Sequence, residues 1–299
     1  MINSLKGLVY VLTFLALLLS GSLGVAQARA LTEIRASGEL RVCFAPIHAS
    51  VVRAEPVGCR EECHFEGPAY DTVQAFVDFL GGSMALRAQR IDWDEQFFNA
   101  QGQLDKQAEY SPVLLESGRC DVYPNMLTQA DWRRNKLDIV TMFSTRVLIM
   151  AHPEAIATLI DEFSLGGHRA AVEAGTTYHT WLQEQNRTRF AHNPIEIYLL
   201  PTDQALERVN QGLADFSMAD ARSAFWIVRH QYPDLIPAFP VGALDPVGWG
   251  IRKNNPELRL AIQQFFEQQR IEPDSALNAI WQRHFGMNMT QLMALLAAM

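Results

Sequence analysis

Two segments of the chain carry residue types that bind anions. A basic segment contains Arg133 and Arg134, and a planar guanidinium group holds a carboxylate through two parallel hydrogen bonds. Gly175, Thr176 and Thr177 open a predicted helix, whose first N–H groups lack partners within the helix and attract negative charge. Each segment also has a simpler interpretation, because the arginines could form a solvated basic turn and the threonines could serve only as helix caps.

The four cysteines, Cys43, Cys59, Cys63 and Cys120, form a second reactive group. In an oxidising compartment we expect disulfides, and four cysteines allow three pairings. Cys59 and Cys63 share a polar loop and could bridge locally, while Cys43 and Cys120, each at a predicted strand, could form the other bridge. Cys59, Cys63 and His64 also approach the C-x-x-C-H haem attachment pattern, with one residue too many, or three ligands of a zinc site that has no evident fourth. We expect disulfides, and neither a metal nor a cofactor.

The composition is that of an acidic globular protein. The 299 residues are 48% apolar and 19% charged, with a formal net charge of −8. A chain of this size buries enough surface to form two lobes without depending on disulfides or metal for stability. The acidic balance argues against nucleic acid as a partner, because phosphate binding needs a basic face.

The N-terminus has the pattern of a secretory signal peptide. Lys6 is followed by the apolar segment Leu8–Leu19, and Ala26-Gln27-Ala28 fits a small-residue cleavage site. We therefore predict that residues 1–28 are a signal peptide and that the mature protein is soluble in the periplasm. A retained membrane anchor is the alternative, but the apolar run is shorter than the roughly 20 residues that span a bilayer.

The mature chain alternates strand and helix patterns, which indicates an α/β protein with mostly parallel sheets. Strands are predicted at Leu40–Ala45, Ala85–Trp93, Asp121–Met126, Val147–Ala151, His168–Glu173, Ile195–Leu200, Phe216–Ala219 and Val247–Arg252. Helices are predicted at Thr32–Ser37, from a cap at Asp71, at Pro112–Glu116, after Thr177, from a cap at Thr202, from Asn255-Pro256, and at Ala276–His284 and Thr290–Ala298. Residues 46–68 are expected to form a long irregular loop.

Two strand–helix sets without a Ser/Gly linker predict two lobes joined by crossing strands. The crossings are expected near Phe143–Val147 and Pro240–Gly248. We assign residues 29–143 and 245–299 to the first lobe and residues 144–244 to the second. A small ligand would bind in the cleft between them.

Six segments of the mature chain occur in an order typical of one protein family. They are LTEIRASGELRVCFAP, GPAYDTVQAFVDFLGG, LLESGRCDVYPNMLTQADWRRNKLDIVTMFS, AAVEAGTTYHTWL, ALERVNQGLADFSMADA and GWGIRKNNPELRLAIQQFF. This order resembles the type 2 periplasmic solute-binding proteins of family 3, the receptors of polar amino-acid ABC transporters. The resemblance implies a two-lobed α/β fold, with a mostly parallel sheet in each lobe and a hinge of crossing strands.

The resemblance also implies how a ligand carboxylate is bound. In the family an arginine after the third strand holds the carboxylate; Arg133 is the closest match, and Arg134 is the rival. Thr128 would add a hydroxyl at the same wall. The Gly175-Thr176-Thr177 turn would hydrogen-bond the same carboxylate from the second lobe.

Asp220 matches the family position that accepts the ligand's amino group, and Ser144 and Asn125 are lesser ligand candidates. The implied protein is a monomer that captures a small polar, carboxylate-bearing molecule, such as an amino acid, and delivers it to a membrane ABC permease. It is not an enzyme, and it needs no cofactor.

The sequence departs from the family after the first strand, where a long cysteine-containing loop replaces a short Pro-Phe segment that usually covers the ligand. His48 or Phe65 could take that role. One alternative function is a non-transport accessory protein of an exported enzyme system, and another is a dehydratase-like enzyme on the same fold. Some lytic transglycosylases carry such a domain in front of a lysozyme-like domain, which we do not expect in this chain.

Overall fold

The computed structural model describes residues 28–298, so the expected signal peptide lies outside the described residues except for Ala28. The strands are β1 (Glu39–Phe44), β2 (Arg53–Glu55), β3 (His64–Glu66), β4 (Ala85–Arg90), β5 (Val122–Thr128), β6 (Asp138–Ala151), β7 (Arg169–Val172), β8 (Glu196–Leu199), β9 (Phe216–Asp220) and β10 (Ile236–Ile251). The α-helices are α1 (Leu31–Ser37), α2 (Pro68–Leu80), α3 (Val113–Glu116), α4 (Asp131–Arg134), α5 (Thr177–Arg187), α6 (Thr202–Asn210), α7 (Ala221–His230), α8 (Pro256–Ile271), α9 (Ala276–Phe285) and α10 (Met289–Ala298).

Two long strands hold the molecule together. The main sheet has the order β4-β1-β5-β10-β6-β9-β7-β8, so β10 and β6 lie at its centre. They pair antiparallel from Ile236 opposite Ala151 to Ile251 opposite Asp138. We call the structure around β4, β1 and β5 the first lobe, and that around β9, β7 and β8 the second lobe. Since β6 and β10 run through both, they are the crossing strands that the sequence predicted.

The sheet is mixed rather than simply parallel. Within each lobe the three outer strands are mutually parallel, as predicted, whereas the crossing strands pair antiparallel with each other and with β5 and β9. Successive side chains of a strand face opposite layers, so Val42 belongs to the core under α2 and α8 while Cys43 belongs to the core on the other face. The predicted two-lobed α/β architecture is therefore confirmed, with a mixed sheet.

Two predicted helix caps are wrong. Helix α2 begins at Pro68 after Gly67, because proline suits a first helical position that needs no N–H donor. Asp71 lies inside that helix and instead accepts a hydrogen bond from His284 Nε2 at 2.7 Å. Thr202 is the first residue of α6 rather than its cap.

The segment 46–68 is more ordered than the predicted loop. Strands β2 and β3 form an antiparallel hairpin, with Ala54 opposite Phe65. The Phe65 ring is buried and packs 5.1 Å from the Phe44 ring. Its proposed role as a ligand cover is therefore wrong, because the side chain belongs to the core of the first lobe.

The cysteines form two disulfides, Cys43–Cys120 and Cys59–Cys63, with Cα–Cα distances of 5.7 and 5.6 Å. Both distances lie in the usual range for disulfides. The first bridge ties β1 to the segment that enters β5, and the second closes the turn of the β2–β3 hairpin. The sequence allowed more than one pairing, and the structure has this one. Because the sulfur atoms of Cys59 and Cys63 are bonded to each other, they are not available as thiolate ligands for haem or zinc.

We predict that the two disulfides differ in their contribution to stability. In the chain-entropy account, a bridge that closes 77 residues stabilises by about 4 kcal/mol and one that closes 4 residues by about 2 kcal/mol. Urea unfolding of Cys43→Ala/Cys120→Ala and of Cys59→Ala/Cys63→Ala should show the larger loss for the first pair. Equal losses, or alkylation of the native wild-type cysteines, would contradict the assigned pairing.

A substitution at Gly248 tests the pairing of the crossing strands β6 and β10. A Cβ added at Gly248 would lie 1.9 Å from the carbonyl oxygen of Val140 in the neighbouring strand. Gly248→Ala should therefore lower the free energy of unfolding by about 3 kcal/mol, since backbone cannot yield as a side chain does. Gly250→Ala is the control, because its Cβ would approach only side-chain atoms of Leu127 and Leu137. Similar melting temperatures for the two variants would contradict this strand pairing.

Candidate ligand-binding site

Arg133 lies in α4, directly after β5, against aromatic rings. The carbon of its guanidinium group is 5.1 Å from the ring centre of Trp132, 5.4 Å from Phe97 and 5.7 Å from Trp93. Its Nη1 donates to the Thr128 hydroxyl at 2.6 Å and to the Thr128 carbonyl at 3.2 Å. The structure thus brings together the arginine and the threonine that the sequence predicted at one wall.

The charge of Arg133 has no protein counter-ion. No carboxylate within residues 28–298 lies within 4.0 Å of its guanidinium, and its Nε is buried without a hydrogen-bond partner. Burial lowers the pKa of Arg133 to about 10, so the group remains charged at neutral pH. An unpaired cation in a partly dry, aromatic environment favours binding of an anion.

Arg134 has a different environment. Its side chain is exposed and forms an ion pair with Asp131, three residues earlier in the same helix. An exposed pair of this kind is solvated and contributes little to binding. Of the two arginines that the sequence left open, Arg133 has the surroundings of a ligand group.

Asn125 and Ser144 lie on the strands next to this wall. The buried Asn125 amide accepts from Ala45 N–H at 3.0 Å and donates to the Cys43 carbonyl and to Gln96 Oε1, both at 3.1 Å. These bonds connect β1 and β5 within the first lobe and leave no free donor. Ser144 is half-buried on β6, and its hydroxyl has no hydrogen bond within the described part of the chain. We therefore retain Ser144 and not Asn125 in the candidate site.

The Gly175-Thr176-Thr177 turn opens α5 as predicted. Thr176 is its N-cap, with Oγ1 accepting from His179 N–H at 3.2 Å and donating to the Glu173 carbonyl at 2.7 Å. The N–H of Gly175 donates to His179 Nδ1 at 3.3 Å. Thr177 is exposed, and its hydroxyl has no hydrogen bond among residues 28–298. Thr177 is thus the threonine of the turn whose hydroxyl has no partner among the described residues.

Asp220 lies at the end of β9, where it caps α7. Its Oδ1 accepts from Ser223 N–H at 3.2 Å, and its Oδ2 accepts from the Ser223 hydroxyl at 2.6 Å. Its own N–H donates to the hydroxyl of Tyr178 at 3.0 Å. Because Tyr178 directly follows Thr177, this bond brings the Gly-Thr-Thr turn and Asp220 together in the second lobe.

The two lobes touch through a polar cluster, of which the sequence pointed only to His48 and Asp220. Ser50, in the segment after β1, lies 2.9 Å from the Ser223 hydroxyl through its own hydroxyl, and its carbonyl accepts from Arg222 Nη1 at 2.6 Å. His48 Nδ1 lies 2.8 Å from the Ser50 hydroxyl. We call Ser50, His48, Arg222, Ser223 and Asp220 the interlobe cluster. No local motif marks it, because its contacts between the two lobes join residues more than 170 apart in sequence.

His48 is the histidine of the interlobe cluster, and its pKa lies below the usual value. Burial, and then the positive charge of Arg222, lower the pKa of His48, while Asp220 and Asp203 oppose the shift. Its ring meets the Trp226 ring edge-on at 5.4 Å, and its Nε2 is buried without a partner. A proton on this ring would add a second cation beside Arg222.

The sheet register relates the two predicted sides of the site. Thr128 on β5 pairs with Val247 of β10, and Asp220 on β9 pairs with Val147 of β6. The Arg133 wall and Asp220 are therefore separated by the two crossing strands, three inter-strand steps of about 4.8 Å each. This arrangement places one group in each lobe on either side of the hinge.

Two open cavities lie elsewhere, beside the edge strand β4, with volumes of about 510 and 680 Å³. Both are lined by Ala88, Gln89 and Arg119, and neither includes a predicted ligand residue. Among residues 28–298 no group of three or more His, Cys, Asp or Glu side chains is arranged to hold a metal ion. In the same part of the chain, every helix is too short or too polar to cross a bilayer.

Solved structures with the same architecture are amino-acid receptors by name. An ancestral cationic amino acid solute-binding protein superimposes with a TM-score of 0.67 at 19% identity, over 85% of this chain and 99% of that one. The unliganded, open L-cystine receptor of Neisseria gonorrhoeae gives 0.61 at 14% identity, over 88% and 99%. The chain has the fold of the type 2 solute-binding proteins. A Streptococcus pneumoniae amino acid ABC transporter substrate-binding protein bound to L-arginine gives 0.59 at 17% identity, over 88% and 97%.

The sequence relatives carry two different kinds of name. Membrane-bound lytic murein transglycosylase F of Desulfosudis oleivorans is 25% identical over 225 residues, 73% of this chain and 44% of the relative. The protein of the same name from Sodalis glossinidius is 26% identical over 87% of this chain and 52% of its own length. The chain thus spans about half the length of these enzymes. The L-cystine-binding protein TcyJ of Escherichia coli is 23% identical over 59% of this chain and 64% of its own length. No protein-family model matches the chain.

We predict that His48 makes the stability depend on pH. Because the pKa of His48 is lower in the folded than in the unfolded state, the unfolded chain takes up the proton first, and stability falls as pH drops below about 6.5. Urea unfolding at pH 7.5 and 5.5 should show a smaller loss for His48→Gln than for wild type. His192→Gln, at an exposed position, should behave like wild type. The same loss in His48→Gln as in wild type would contradict this role.

Proposed function

We propose that this chain is an exported solute-binding protein that captures a small, carboxylate-bearing molecule between its two lobes. The observation that carries the proposal is the half-buried guanidinium of Arg133, which is charged, lies against aromatic rings and has no carboxylate partner in residues 28–298. A ligand carboxylate would supply the missing counter-charge through a charge-assisted pair of hydrogen bonds. Thr128, Ser144 and Thr177 would add hydroxyl groups.

Capture would proceed by closure of the lobes about the crossing strands. We retain the division into residues 29–143 with 245–299 and residues 144–244 as part of this proposal. A ligand bound to the first lobe would favour the closed form only to the extent that it gains contacts in that form. In the second lobe, Thr177 and the N-terminus of α5 would provide these contacts. The Ser50–Ser223 bond of the interlobe cluster shows that the two lobes can meet through hydrogen bonds.

The partner would be a membrane ABC permease that recognises the closed monomer, and the site of action would be the periplasm. The amino-acid receptors with the same fold support this role, as do the two disulfides, which are typical of an oxidising compartment. The proposed signal peptide is tested by N-terminal sequencing of the exported protein. A start at residue 29 supports it, and retention of residues 1–28 contradicts it.

Arg133→Met tests the carboxylate site, because methionine preserves packing against the rings and removes the charge. A thermal-shift screen of L-amino acids, N-acetyl amino acids and dicarboxylic acids identifies the tightest ligand, and calorimetric titration then measures its Kd. We expect Arg133→Met to raise the Kd about a hundredfold, since a paired, charge-assisted interaction is lost. Arg134→Met is the matched control and should bind like wild type. Equal effects of the two substitutions, or no ligand in the screen, would contradict the proposed function.

A second candidate function is supported by the transglycosylase relatives. In this alternative the domain binds a ligand as a sensor for an exported enzyme and does not deliver that ligand to a permease. Uptake of the radiolabelled tightest ligand by cells that lack the gene separates the two. Loss of uptake that returns on complementation supports transport, whereas unchanged uptake favours the sensing role. Incubation of the purified protein with the same ligand, followed by product analysis, tests the dehydratase-like alternative.

A further inference from the structure

The carboxylate predicted to bind a ligand ammonium is already paired with a cation of its own chain. Arg222 Nη2 lies 3.3 Å from Asp220 Oδ2, and both Asp220 oxygens also accept hydrogen bonds from Ser223. An amino group arriving at Asp220 would therefore meet a neutralised carboxylate. It would also approach the guanidinium of Arg222, which repels it.

Arg222 is held in place by the other lobe. Its side chain is 6% exposed, and its Nη1 donates to the carbonyl oxygen of Ser50 at 2.6 Å. If Arg222 turned away to release Asp220, the Ser50 carbonyl would lose its partner in a buried position, which is costly. The contact with Ser50 therefore keeps Arg222 beside Asp220.

Two further arginines near the crossing strands lack a carboxylate partner among the described residues, while the acidic residues on those strands are Asp138 at the start of β6 and the exposed Asp245 on β10. Within residues 28–298, neither Arg133 nor Arg146 has a carboxylate partner. Arg146 lies on β6, one residue before Val147, which pairs with Asp220. The Nε atoms of both arginines are buried without hydrogen bonds. His48 carries no compensating negative charge. Asp203, the other acidic residue that influences His48, is exposed in the first turn of α6, where water and the helix N-terminus stabilise it.

From this charge balance we infer that the ligand is a carboxylate without a free ammonium group, such as an N-acylated amino acid or a dicarboxylic acid. The inference rests on the proposed function and narrows its substrate class. A zwitterionic amino acid would satisfy Arg133 but would leave its ammonium beside a cation, desolvated and unpaired. An anion of the same shape avoids that cost, and a second carboxylate or an acyl oxygen can accept from the remaining guanidinium groups.

Matched ligand pairs test the inference directly on the wild-type protein. Calorimetric titration at pH 7 compares N-acetyl-L-alanine with L-alanine, N-acetyl-L-arginine with L-arginine, succinate with L-aspartate, and glutarate with L-glutamate. We expect the member without the ammonium to bind at least about tenfold more tightly in each pair that binds. If the amino acid binds as tightly or more tightly, the inference is wrong while the binding function stands. If no member of any pair binds, both the function and the inference fail.

Arg222→Gln provides a second arm, because it removes the cation while keeping a donor for the Ser50 carbonyl. The variant should gain about tenfold in affinity for the amino-acid member of each binding pair, since Asp220 becomes available to an ammonium. Arg187→Gln, at an exposed position of α5, is the control and should leave the ratio within each pair unchanged. An unchanged ratio in a folded Arg222→Gln protein overturns the inference. If that variant does not fold, the wild-type pairs decide the question.

Discussion

The antiparallel pairing of β6 and β10 is the constraint on which the rest of the structure depends. Fourteen residues of β6 and sixteen of β10 belong to both halves of the sheet, so the lobes share their two central strands. Each lobe adds three parallel strands on its own side, and the predicted ligand residues Thr128 and Asp220 lie where β5 and β9 meet the central pair. Bending of two strands is therefore the structural route by which the lobes can move.

The charged side chains on the two sides of the crossing strands differ in whether they have a partner. The first lobe offers the guanidinium of Arg133 among aromatic rings, whereas Asp220 in the second lobe is neutralised by Arg222. An unpaired cation retained in a half-buried place destabilises the unliganded protein and stabilises a complex with an anion. In the proposed function, the same residues that connect the lobes, Ser50 and Arg222, also determine which ligand charge is tolerated. In the proposed function, lobe closure and ligand specificity therefore both depend on the interlobe cluster.

Local sequence signals predicted much of this fold and only part of the site. The Asn255-Pro256 start of α8 and the helix after Gly175-Thr176-Thr177 depend on neighbouring residues and are correct. The hairpin within 46–68 was missed because its strands are only three residues long, too short for their alternation of exposed and buried residues to predict a strand. The contact between Ser50 and Arg222 could not be predicted, since two residues 172 apart are joined only by the folded lobes.

A crystal structure with the tightest-binding ligand of the matched pairs would show which protein groups contact that ligand. We expect the ligand carboxylate to lie about 3 Å from the guanidinium nitrogens of Arg133, with the second lobe closed over it. We also expect Asp220 to keep its contact with Arg222 and to make none with the ligand. A ligand bound in the cavities beside β4, or one whose ammonium group has displaced Arg222 from Asp220, would contradict the account.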